Sequence, residues 1–211
     1  MEKKRKIIPG VYVVIDPWTD ESILLHNLSI ILKEKIAGVQ LWDHFCPDSN
    51  NLKLVRKVTK MCHENNIPVL INNHWEWLLK TDLDGVHFDN APGNYTRIKK
   101  SINREFISGL TCSNDLSLVK WADDNRMDYI SFCSIFPSST SNSCELVKFE
   151  TISLAKEMTS MPVFLSGGIR PENMHKLNNL QYDGVAVVSG IMQSRAPDES
   201  VKAYINQLNR I

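Results

Sequence analysis

Eight short apolar runs recur along this chain, separated by segments with helical amphipathicity. The strand candidates are Val11–Asp16, Gly38–Asp43, Val69–Asn72, Gly85–Phe88, Phe106–Thr111, Tyr129–Ser134, Val163–Ser166 and Gly184–Val188. Several are apolar without alternation, as strands of a parallel sheet buried on both faces must be. The helical candidates are Glu21–Lys35, Leu52–Asn65, Leu116–Asp124, Phe149–Thr159 and Val201–Ile211. In the second of these, Leu52, Val55, Val58, Met61 and Cys62 fall on one face. Eight strand–helix units favour a closed (β/α)8 TIM barrel, with an open doubly wound sheet as the competing architecture. A length of 211 residues is near the lower end for one such barrel. No linker or repeat interrupts the pattern, so residues 1–211 read as a single domain.

The last two strand candidates each end in a glycine turn. Ser166-Gly167-Gly168-Ile169 follows one, and Ser189-Gly190 follows the other. In a barrel, the turns after strands seven and eight lie side by side, and their backbone N–H groups can cradle a phosphate. No Lys or Arg is needed for that, although Arg170 lies just beyond the first turn. Gly167, Gly168, Ser189 and Gly190 are therefore the phosphate-binding candidates.

Charge and cysteine usage exclude several other classes. Lys+Arg and Asp+Glu both number 24, so no global field draws nucleic acid or an anionic membrane. The basic start Lys3-Lys4-Arg5-Lys6 has no apolar segment or cleavage site behind it, and no apolar run reaches transmembrane length. Cys46, Cys62, Cys112, Cys133 and Cys144 lack metal-type spacing and read as reduced thiols of a cytoplasmic protein. Nothing in the sequence fixes an oligomeric state, and a homo-oligomer stays open.

The ordered set of motifs resembles one family along nearly the whole chain. Gly10-Val11-Tyr12-Val13-Val14-Ile15-Asp16-Pro17, Gly38-Val39-Gln40-Leu41, Val69-Leu70-Ile71-Asn72, Asp84-Gly85-Val86-His87 and Ile135-Phe136-Pro137 follow one another in the order found in thiamine phosphate synthases. The two glycine turns close the series, and the related TenI thiazole tautomerases share it. The resemblance implies a (β/α)8 barrel and a partner that is a phosphorylated thiazole or thiamine phosphate. It places Gln40, Asn72, Asn73 and Thr111 among the substrate-binding candidates.

The resemblance also exposes departures. The synthases end their second strand in Gln-x-Arg-x-Lys, which grips pyrophosphate; this chain has Gln40-Leu41-Trp42-Asp43-His44. Their third strand ends Asn-Asp-Arg, with the Asp on magnesium; here it is Asn72-Asn73-His74. A second magnesium Asp after the fourth strand has no clean counterpart in Asp89-Asn90-Ala91-Pro92. The Thr-x-Thr-Lys of the lid becomes Ser138-Ser139-Thr140-Ser141, and the tautomerase His becomes Ser113. Departure of pyrophosphate depends on cations placed where charge develops. The expectation is therefore altered or weak synthase activity, with a non-catalytic phosphate-ligand binder as the alternative. No cofactor is expected, magnesium entering only if synthase chemistry is retained. His44 is the catalytic candidate, because a neutral imidazole accepts a proton near pH 7 where the replaced lysine cannot.

Overall fold

The computed structural model describes residues 5–47, 50–137 and 145–209. The chain runs β1 (Gly10–Ile15), α1 (Glu21–Ile31), β2 (Gly38–Leu41), α2 (Asn51–Glu64), β3 (Val69–Asn72), β4 (Gly85–Phe88), α3 (Tyr95–Ile102) and β5 (Ile107–Thr111). It continues through α4 (Leu116–Asp124), β6 (Tyr129–Cys133), α5 (Phe149–Met158), β7 (Val163–Ser166), β8 (Gly184–Val187), α6 (Ser189–Met192) and α7 (Pro197–Leu208). All eight strands are parallel and close in sequence order, β8 pairing with β1. The TIM barrel is the observed fold.

Two of the connections are not α-helical. Trp75–Leu79 between β3 and β4, and Pro171–Leu177 between β7 and β8, are 3-10 turns. They shorten the wall on those sides, and Trp75 and Trp77 pack there against the core. The helix α3, with no apolar run to mark it in the sequence, buries Tyr95, Ile98 and Ile102 and is capped by the Asn94 side chain. Among the described residues no helix is long and apolar enough to cross a membrane.

Alternation along the strands divides the core in two. On β1, Val11, Val13 and Ile15 face the helices, while Tyr12 and Val14 face the barrel interior. Tyr12, Leu70, Ile107, Tyr129 and Phe164 fill that interior. The rings of Tyr12, Tyr129 and Phe164 lie 5.5–5.9 Å apart, centroid to centroid, as an aromatic plug. Gly109 makes room for it: a Cβ there would stand 2.1 Å from the Tyr129 ring.

At the opposite end from the mouth, three aspartates lock neighbouring strands. Asp84, Asp128 and Asp183 each precede an even-numbered strand. Each donates its backbone N–H to a carbonyl at the start of the preceding strand, and its carboxylate accepts that same residue's N–H. The pairs are Asp84 with Val69, Asp128 with Ser108, and Asp183 with Val163, every bond at 2.8 Å. These reciprocal bonds pair N–H groups at the strand starts. They also pin register, since a slip by one residue would break both. Asp183 additionally receives Lys156 Nζ at 2.8 Å.

Asp183→Ala leaves the Val163 N–H unpaired at a buried strand start. The expected loss is about 1–3 kcal/mol, seen as a fall of several degrees in Tm. An unchanged Tm would show that the latch contributes nothing to the barrel.

Candidate functional site

The C-terminal ends of the strands surround a cavity of about 460 Å³ whose floor is the aromatic plug. Tyr12, Gln40, His87, Thr111, Tyr129 and Ser131 line it. They also form one hydrogen-bonded chain across the barrel. Tyr12 Oη donates to Gln40 Oε1 at 3.0 Å and lies 3.1 Å from Tyr129 Oη. Tyr129 Oη lies 2.9 Å from His87 Nδ1, His87 Nε2 lies 2.9 Å from Thr111 Oγ1, and Thr111 Oγ1 lies 3.1 Å from Ser131 Oγ.

Proton counting fixes the direction of this chain. The Tyr12 proton is committed to Gln40, so Tyr129 donates to Tyr12. The Tyr129 oxygen then accepts from His87 Nδ1–H, which leaves Nε2 of a neutral ring to accept from Thr111. Ser131 in turn donates to Thr111. Burial supports the same protonation states. It pushes the His87 imidazole down to about 4, against a smaller opposing pull from Asp89, and it raises both tyrosines. The chain is thus neutral throughout at pH 7 and does not hold a mobile charge. Its effect on the cavity is orientation: with Oε1 held by Tyr12, Gln40 turns its NH2 group away from that bond.

Beyond β2 the chain leaves the sheet at Leu41, two residues before the expected end. Gln40 and Trp42 line the cavity, but His44 does not. Strict alternation through His44 is the expectation that fails, because the strand pairing ends at Leu41 and the last backbone bond to β1 is from the Trp42 N–H to Ile15 O. His44 sits on the rim instead. Its Nδ1 lies 3.0 Å from Asp16 Oδ1, and its ring stacks on Trp18 with centroids 4.9 Å apart. Asp16, at the end of β1, is a site residue that the sequence offered only inside a motif. It orients the imidazole and would favour its Nδ1–H tautomer.

The ends of β3 and β4 are joined by amides and carboxylates. Asn73 adopts a left-handed backbone (φ 58°). Its Nδ2 donates to Asp43 Oδ2 at 2.7 Å and to Asp89 Oδ2 at 2.9 Å, and its Oδ1 accepts from the Asp89 N–H at 3.0 Å. Asn72 Nδ2 donates to Asp89 Oδ1 at 3.0 Å. Asn72 therefore lines the cavity as expected, whereas Asn73 serves as a clamp between two carboxylates. Asp89 itself lines the cavity.

The two glycine turns come together as a second pocket of about 200 Å³, lined by Gly167, Gly168, Arg170, Ser189 and Gly190. Gly167 also lines the central cavity, so the two spaces adjoin. Gly167 (φ 87°) and Gly168 (φ 66°) are left-handed. Among the described residues, no protein acceptor pairs with the backbone N–H of Gly168, Ser189 or Gly190. A Cβ on Gly168 would stand 2.6 Å from the carbonyl oxygens of Phe136 and Pro137. The turn is thus strapped to the segment after β6, which also bonds back through Phe136 N to Gly167 O. The remainder of the expected lid, Ser138-Ser139-Thr140-Ser141, lies outside the described residues. Cys112 is buried behind the wall, with burial raising its thiol to about 12. It is a packing residue.

Known proteins share this sequence and fold. The family model described as thiamine monophosphate synthase matches residues 11–191. A thiamine-phosphate synthase of Methanobrevibacter smithii is 28% identical over 188 residues, covering 89% of this chain and 90% of the relative. One from Halorhodospira halophila is 25% identical over 210 residues, covering 100% and 99%. The solved thiamine phosphate pyrophosphorylase of Pyrococcus furiosus superposes with a TM-score of 0.80 at 18% identity, covering 98% of each chain.

The buried His87 makes stability depend on pH. Its folded value, about 4, lies below an unfolded value of about 6.5, so the unfolded chain takes up the proton first. Stability from this group is complete above about pH 6.5 and is lost as pH falls towards 4, by roughly 3 kcal/mol. His87→Gln should flatten urea-unfolding free energies between those limits relative to the parent. Parallel slopes for the two proteins would contradict a neutral buried imidazole.

Proposed function

The chain belongs to the thiamine monophosphate synthase family of thiamine biosynthesis, and on that premise we propose that it binds a phosphorylated thiazole or thiamine phosphate with weak synthase activity. The observation that carries the binding part is the pair of glycine turns. Their N–H groups at Gly168, Ser189 and Gly190 have no acceptor among the described residues and adjoin the central cavity. Such groups satisfy the oxygens of a phosphate without a lysine. Gln40, Asn72 and Thr111 lie in the cavity beside it, placed to meet the ring the phosphate carries.

The weak chemistry follows from what surrounds the rest of the cavity. Among the described residues, no Lys or Arg lines it. One missing electrostatic donor costs on the order of 3 kcal/mol of barrier. Magnesium, which synthase chemistry implies, is poorly matched by the residues present. Asp43 and Asp89 are the nearest carboxylates, and the Asn73 NH2 group occupies the space between them. Among the described residues no group of three His, Cys, Asp or Glu is arranged to hold a metal. Magnesium also favours hard anionic oxygens over a neutral amide. No step is therefore drawn through it.

Two roles remain for the chain. As an enzyme, it would use His44, oriented by Asp16, to move a proton at the rim. As a non-catalytic binder, it would only hold the phosphate ligand. The position of His44 outside the cavity is the observation that supports this second role, which stays the alternative to weak synthase activity.

With the pyrimidine pyrophosphate, thiazole phosphate and magnesium supplied together, turnover should fall at least about a hundredfold below that of a synthase with intact Arg, Lys and Asp positions. Comparable turnover would contradict the proposal. Ser189→Asp should remove ligand binding, because it sets a carboxylate among the phosphate-binding N–H groups while suiting a helix start. Titration calorimetry should show an affinity loss of about tenfold or more, by like-charge repulsion at close range, with Tm preserved. Unchanged affinity would move the phosphate elsewhere.

A further inference from the structure

The charges at the mouth are arranged with a polarity that the phosphate site alone does not require. In a closed ring of eight strands taken in sequence order, β4 lies opposite β8. Ser189 and Gly190 follow β8, and Asp89 follows β4. The phosphate candidates and Asp89 therefore face one another across the opening. At one side stand N–H groups with no acceptor among the described residues, and the exposed Arg170. At the other stands Asp89, the one carboxylate, and with no Lys or Arg beside it, among the described residues lining the central cavity.

Asp89 is held in that role. Both of its carboxylate oxygens accept side-chain amide N–H groups, from Asn72 and from Asn73. Amides fix the carboxylate without neutralising it, as a lysine or arginine would. Asn73 also ties in Asp43, which brings a second carboxylate beside the first. Between the two sides, Trp42 presents an indole to the cavity, a surface that attracts a positive group over its face.

We propose that Asp89 is a specificity-determining residue, making this site select phosphomonoesters whose far end is a positively charged heteroaromatic ring and reject those with a second anionic group there. This deepens the reading of the glycine turns as a phosphate site and rests on it. A phosphate bound at β7 and β8 sends the rest of the ligand towards β4. A cationic ring arriving there meets Trp42 and the Asp89 carboxylate. A diphosphate arriving there meets Asp89 and Asp43, with no Lys or Arg among the described cavity-lining residues to offset them. Specificity thus comes as much from repulsion of the wrong ligand as from attraction of the right one.

The test uses a pair of ligands that differ by one N-methyl group and the ring charge it confers: hydroxyethylthiazole phosphate, with a neutral ring, and its N-methylthiazolium analogue. Titration calorimetry on the full chain should show the cationic ligand binding about fivefold more tightly, the size of a solvent-exposed ion pair. That preference should shrink as salt rises from about 0.02 M to about 0.5 M, where screening is short-ranged. In Asp89→Asn the preference, read as the ratio of the two affinities within the variant, should disappear. The salt series on the parent protein stands on its own if the variant is unstable. Equal binding of the two ligands by the parent overturns the inference and leaves the phosphate site intact. A preference that survives in Asp89→Asn also overturns it. Binding of neither ligand overturns the phosphate site and this inference together.

Discussion

The contact between Tyr12, Tyr129 and His87 is the constraint on which the rest of the site depends. These side chains come from β1, β6 and β4, and they meet only because the barrel closes. Their rings seal the interior, so the cavity has a floor. Their polar atoms find partners in one another, which removes the cost of burying them. The same bonds run on to Gln40 at one end and to Thr111 and Ser131 at the other. A single neutral network thus closes the barrel and sets the donors and acceptors of its mouth.

On that floor the mouth divides by sign. The β7 and β8 turns offer backbone donors, which need no charged side chain, and the Phe136–Gly167 bond ties the first of them to the segment after β6. The β3 and β4 ends offer carboxylates held by amides. Between the two sides, no Lys or Arg among the described residues lines the cavity.

Much of the fold was legible because buried parallel strands have little freedom in composition. All eight were located, with ends displaced by at most two residues. α3 was missed because its face is marked only by Tyr95, Ile98 and Ile102, spread through a polar stretch. The 3-10 turns were too short to show a helical period. At the site, the glycine turns were legible because a local sequence dictates a local geometry. The hydrogen-bonded chain was not, since Tyr12, His87 and Tyr129 are distant in sequence and carry no mutual signal. His44 was misplaced because alternation was extended beyond Leu41, where the ladder ends. Asp89 stood within a quoted motif, but its meaning came from the amides of Asn72 and Asn73 that fold against it. The three aspartates before β4, β6 and β8 were also visible, and only the structure shows the N–H groups they hold.

The most direct measurement is a crystal structure of the protein with hydroxyethylthiazole phosphate at saturating concentration. The account predicts phosphate oxygens within about 3 Å of the backbone nitrogens of Gly168, Ser189 and Gly190, with the thiazole ring extending towards Trp42. A phosphate seated instead at the β3–β4 side, against Asn72 and Asn73, would contradict it.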